Sequence, residues 1–249
     1  MQDQSYLGSG KLLIREYGAA APFVEVGNCS ALTLSPQTNA ITLADHTQPG
    51  GGERNRVDRL TGCELAYTFH DFSPENFARA LRGTVATIAA GAVVDEALVA
   101  YKGGFTPLAR IATSVTAVKS AVGSTTYEAG VDYVIQDGGL FIPAGSTVAE
   151  PVAGAANLKV SYANAAQTVV QGLVNPARQY EMLFLGLNEA QSGKAVRITA
   201  HKATGGVMAQ LALIGEEHGA GEVTGALLTD GTKGVGLSKY FVVVQEVVA

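Results

Sequence analysis

The 249-residue chain has no tryptophan, and only 7% of it is aromatic. Charged residues reach 16%, against about 25% in an average soluble domain. It has two cysteines, four histidines and no long apolar run. Each shortage excludes something. The longest apolar stretch, residues 85–94, stops at Asp95 and Glu96. It falls well short of the roughly 20 residues that a membrane-spanning helix needs, so no membrane partner is expected. A net charge of −5 and an isoelectric point of about 5.4 cannot supply the counterion release on which a nucleic-acid grip depends. Cys29 and Cys63 lie in strand-like stretches without metal-ligand spacing. They could meet in a sheet. In a chain whose start shows neither a basic nor an apolar leader region, they read rather as two buried thiols.

Small residues are what the chain has in quantity, with 38 alanines and 30 glycines, and its mean hydropathy is +0.19. Such hydrophobicity with so little net charge excludes disorder. A soluble monomer of this size normally carries a charged, mixed surface. The sparse charge therefore points to a chain that buries surface against other copies of itself.

Most of the sequence alternates with period two. Strands are expected over residues 11–17, 22–26, 30–34 and 60–70, the last with Cys63, Leu65, Tyr67 and Phe69 on one face and Glu64, Ala66 and Thr68 on the other. Residues 47–58 are too rich in glycine and charge for a strand interior; they read as a long mobile loop or the tip of an extended hairpin. Its Gly50, Gly51, Gly52, Glu53, Arg54, Arg56 and Asp58 form either a solvated loop or one that docks on an acidic patch of a neighbouring subunit. One helix is expected from residue 73 to the Arg82–Gly83 stop, with Ser73 as N-cap, Pro74 at the first position and Gly83 at C′. Phe77 and Leu81, four apart, should dock it on a sheet at about 2–5 kcal/mol each.

At residues 101–167 the composition shifts, with four basic and four acidic residues, so the flanks carry all of the −5. A hairpin signal at 131–143 and strands at 113–118 and 157–162 suggest a small β-sandwich inserted into a larger fold. Further strands are expected at 180–185, 195–201, 210–214, 223–228 and 240–248. The expected fold is mainly β: a sandwich formed by residues 1–100 and 168–249 with one flanking helix, plus an inserted sandwich at 101–167.

Catalytic and cofactor signatures are missing. Residues 186–194 space their glycines too widely for a phosphate loop, and Ala195 stands where a hydroxyl belongs. Residues 231–236 have the wrong glycine order for a dinucleotide fingerprint. The histidines form no ligand pair, and Glu216, Glu217 and His218 sit beside glycines as an exposed turn would. No enzyme activity, cofactor or metal is expected.

The stretch FSPENFARALRG (72–83) resembles the helix segment of tail tube proteins, the major tail proteins of tailed bacteriophages. EVGNCSALTL (25–34) is similar to the early strands there, and YEAGVDYVI (127–135) to an immunoglobulin-like insertion that many members carry. FLGLN (184–188) through VRIT (196–199) resembles the strand pair after that insertion. The resemblance implies a half-barrel subunit that assembles into hexameric rings, stacked into a tube through which DNA passes without specific binding. It implies a virion protein, assembled in the host cytoplasm, with itself and the tape-measure, tail terminator and distal tail proteins as partners. A tube wall of the chain's negative sign would repel phosphates, and Glu64, Thr68, Arg197 and Thr199 are the exposed-face candidates for the lumen. Deleting residues 50–56 should then leave soluble subunits unable to polymerise. Two other readings compete: a carbohydrate-binding or adhesive β-sandwich using Tyr101, Tyr127 and Tyr133, and a secretion-system tube protein, which would lack the insertion.

Overall fold

The computed structural model describes residues 4–47 and 49–246. These form sixteen strands and one helix: β1 (Gly8–Glu16), β2 (Val24–Glu25), β3 (Cys29–Ala44), β4 (Glu53–Phe69), α1 (Pro74–Ala80), β5 (Thr84–Ile88), β6 (Gly91–Leu98), β7 (Gly104–Pro107), β8 (Ala112–Ser120), β9 (Val134–Gln136), β10 (Gly139–Ile142), β11 (Leu158–Asn164), β12 (Gln167–Gln171), β13 (Gln179–Asn188), β14 (Lys194–Thr204), β15 (Gly221–Leu227) and β16 (Phe241–Gln245). A 3-10 turn, Glu189–Gln191, joins β13 to β14, so residues 186–194 form a hairpin connection. The protein is mainly β, built from antiparallel sheets.

The chain divides into two units, Met1–Val85 with Val170–Ala249, and Ala86–Val169. The second begins earlier than the composition shift at residue 101, because β6 pairs along β11. Asp95 and Glu96 thereby join it, giving four basic and six acidic residues, so the inserted unit is acidic rather than neutral.

In the first unit the sheet order is β2-β1-β13-β14-β15-β4-β3, with β16 also on β14. β14 holds β16 along Val196–Ala200 but meets β15 only at Ala203↔Leu227, so the sheet forks there. Leu12 and Ile14 of β1, Met182 of β13 and Ala200 of β14 share one core with Cys63, Leu65, Tyr67 and Phe69 of β4. The two ends of the strand order thus curl around common side chains. A bulge between Tyr180 and Met182 lets Ala200 and Ala203, three residues apart, both face that core.

The second unit contains two three-stranded sheets, β7-β10-β9 and β6-β11-β8. Leu98, Val118, Leu140, Ile142, Leu158, Val160 and Tyr162 form its core. Asp137 (φ 48°) and Gly138 (φ 72°) close the β9–β10 hairpin, both left-handed as a type I′ turn requires.

Helix α1 begins as expected: the Ser73 hydroxyl accepts the Asn76 N–H at 3.2 Å and Pro74 follows. Its docking differs in part: Leu81 packs against the core as expected, but the most buried residues of the helix are others. The buried residues are Asn76 and Ala80, whereas Phe77 is half-buried with its ring 5.1 Å from Phe72, and Leu81 lies at the edge of the core. Asn76 Nδ2 donates to the Val26 carbonyl at 2.6 Å and to that of Asp71 at 2.8 Å. The stop also differs. Arg82 (φ 48°), not Gly83, takes the left-handed position, while Gly83 N–H reaches the Ala78 carbonyl at 2.6 Å in a Schellman motif. Glycine is needed at 83 for another reason: a Cβ there would strike the Gln171 carbonyl.

Candidate functional site

β3 and β4 pair from Cys29↔Phe69 out to Ala44↔Glu53, but β15 borders β4 only along Cys63–Phe69. Beyond Gly62 no other strand among the described residues lies beside the two, and residues 35–44 and 53–61 are exposed throughout. At about 3.4 Å per residue this free ribbon extends roughly 27 Å. Of the two readings of residues 47–58, the hairpin tip is what forms, with Glu53, Arg54, Arg56 and Asp58 inside β4 and Gly50, Gly51 and Gly52 in the turn at positive φ. Asp45 anchors the turn: its carboxylate accepts the Thr47 hydroxyl at 2.6 Å and the Thr47 N–H at 2.9 Å, which holds its pKa below the usual value. Gln48 lies outside the described residues.

Alternation gives the ribbon two unlike faces. One carries Ile41, Val57 and Leu43, exposed by 48%, 48% and 56%. The other carries Leu60 with Arg56 and Asp58, which form an ion pair at 3.0 Å. Arg54 and Arg59 make no ion pair among the described residues. The free edge of β3 tolerates Pro36, which has no N–H to donate to a ladder.

A second unfinished surface lies at β16. Leu32, Leu34, Phe184, Ile198, Phe241 and Val243 line an open apolar cleft of about 450 Å³ inside the curl, where the core reaches the surface uncovered. On the opposite face, the aligned row Lys11, Leu185, Arg197 and Val244 crosses four strands, with Leu187 and Val242 also exposed nearby.

Glu64, Thr68, Arg197 and Thr199 all point away from the core, Glu64 and Thr68 on β4 and Arg197 and Thr199 on β14, with β15 between those strands. The expected strand at 210–214 is absent. Met208 bridges to Val223, and the chain then leaves the sheet, exposing Leu213 and Ile214 beside Glu216 and Glu217. Of the three tyrosines suited to sugar stacking, Tyr127 and Tyr133 are buried in the core of the inserted unit, and only Tyr101 is exposed.

Cys29 and Cys63 are free thiols, and burial pushes Cys29 up to about 11. No group of three or more His, Cys, Asp or Glu side chains among the described residues could hold a metal ion, and no helix among them is long and apolar enough to cross a membrane. Sequence reasoning missed Ile41, Leu43, Val57 and Leu60, although the 41/43 spacing already placed two apolar residues on one strand face.

A family model described as "Protein of unknown function UCP028589" matches residues 5–244. No curated protein matches the chain.

Proposed function

We propose, from the premise that the chain belongs to the family of unknown function UCP028589, that it is a structural subunit that assembles with copies of itself into hexameric rings stacked as a phage tail tube. The observation that carries this reading is the β3–β4 ribbon, unpaired on both edges beyond Gly62. A two-stranded hairpin is marginal alone in water, and long free edges invite pairing with other chains. A subunit keeps such a ribbon only if a neighbour completes it. Covering the exposed halves of Ile41, Leu43, Val57 and Leu60 would contribute about 1 kcal/mol each. The open cleft beside β16 offers a second contact with a free strand edge, so one subunit has unlike surfaces for two neighbours. Such heterologous contacts close into rings or propagate as filaments. The acidic net charge supports a conduit that duplex DNA crosses without adhering. The ribbon acts here as an inter-subunit contact, and Glu64, Thr68, Arg197 and Thr199 remain the lumen candidates.

The test replaces residues 38–60 by a tight turn. The shortened chain should keep its far-ultraviolet circular dichroism and run as a monomer in light scattering, whereas the full chain forms rings or tubes. Unchanged assembly of the shortened chain would defeat the proposal.

A further inference from the structure

Three of the nine arginines gather at one place in the first unit. Arg79 and Arg82, at the end of α1, and Arg178, just before β13, line an open cavity of about 260 Å³ with Asn175, Tyr180 and Glu75. Their present partners leave them under-used. Arg79 donates to the Asn76 side-chain oxygen at 2.8 Å, and Arg82 Nη2 to the Gly205 carbonyl at 3.1 Å. Arg178 alone is ion-paired, to Glu16 at 3.3 Å, and that pair is half-exposed. The Nε–H of Arg82 is buried and has no acceptor among the described residues. Leaving such a donor unmet is costly.

The backbone adds a second observation. Arg82 occupies the left-handed C′ position, where glycine carries no steric cost and arginine does. Its side chain is therefore held there against a local preference. Arg79 and Arg82 do complement the negative end of the helix, but that role explains neither the unmet Nε–H nor the approach of Arg178. The phenol of Tyr180 feels all three cations: burial raises its pKa, while Arg79, Arg178 and Arg82 draw it down and Glu16 raises it. The cavity lining thus carries three positive charges against Glu75, and Glu16 pairs with Arg178 from outside it, leaving one charge unbalanced.

We propose that this cavity is an oxyanion site, taking one carboxylate or phosphate group, with Arg82 Nε–H as the buried donor and Arg79 and Arg178 as the flanking cations. Guanidinium groups suit such oxygens because their N–H groups form a planar fork. The site lies in one chain and does not depend on assembly.

The full chain is titrated with inorganic phosphate and, separately, with acetate at constant ionic strength, by calorimetry and, for phosphate, by the phosphorus resonance linewidth. Saturable binding of either probe is expected, and the tighter one identifies the group. Arg82→Gln and Arg178→Gln should each weaken it at least tenfold, while Lys102→Gln, in the other unit, leaves it unchanged. Arg178→Gln alters an exposed side chain and keeps the test alive if Arg82→Gln fails to fold. No saturable binding of either probe, or equal loss in Lys102→Gln, would overturn the proposal.

Discussion

Replacing Asn76 with alanine should destabilise the first unit more than truncating Phe77, the large apolar residue next to it on the same helix. Asn76 is 5% exposed, and its amide spans two carbonyls, Val26 at 2.6 Å and Asp71 at 2.8 Å. The Val26 residue is itself 1% exposed, so its carbonyl would lose its acceptor role in a place water does not reach. A lost hydrogen bond is worth about 1 kcal/mol, and an orphaned buried acceptor costs about 1–3 kcal/mol more. The sum, about 2–4 kcal/mol, corresponds to a fall in Tm of roughly 6–12 °C for a unit of this size. Phe77→Ala removes a half-exposed ring whose contact is Phe72 at 5.1 Å, and should cost only about 1–2 kcal/mol. Urea unfolding of the two variants, followed by circular dichroism, decides the order. A larger loss for Phe77→Ala would refute the account of how α1 docks.

Other expectations follow from the same geometry. The Asp230 carboxylate, 2% exposed, is held well below the usual carboxylate range, first by the Thr232 hydroxyl and N–H, then by Tyr17 and Lys233. Its stabilisation is full above the unfolded value near 4 and is lost as pH falls through the lowered native value. The stability gap between wild type and Asp230→Asn should therefore be widest at pH 7 and shrink below about pH 4; a gap constant from pH 7 to pH 3 would contradict this. Gly83→Ala should cost about 1–3 kcal/mol by driving a methyl into the Gln171 carbonyl, while Arg82→Gly should stabilise by up to about 1 kcal/mol in thermal melts and abolish oxyanion binding. Ile41→Asp with Val57→Asp should alter thermal stability by less than about 0.5 kcal/mol each yet block assembly in light scattering, because both side chains face solvent in the single chain.

The parts of the fold that the sequence makes legible are those with one wet and one dry face. Residues 63–69 alternate because β4 covers a core there, and Ser73 and Pro74 mark a helix start whose capping hydrogen bond forms. The ribbon is legible only as one of two readings of residues 47–58, for the opposite reason. With both faces in solvent, residues 35–44 and 53–61 carry no sustained alternation beyond Ile41 and Leu43, and Pro36 and the glycine turn argue against strands 16 and 17 residues long. The apolar stretch at residues 85–94 runs without a break from β5 into β6, which hides the boundary between the two strands and with it the true start of the inserted unit. Residues 210–214 fail in the other direction: their period is right, but no strand accepts them. At the helix end the glycine rule names Gly83, while tertiary contacts place Arg82 in the left-handed turn. The arginine cavity joins residues nearly one hundred positions apart, a proximity that spacing along the chain does not express.

The central claim is that the exposed ribbon and the uncovered cleft are contact surfaces between copies of one chain. Electron microscopy of the purified full chain tests it most directly. Hollow six-fold rings or tubes, lost on removal of residues 38–60, are the expected result. A monodisperse monomer at every concentration, with the ribbon intact and free, would contradict it.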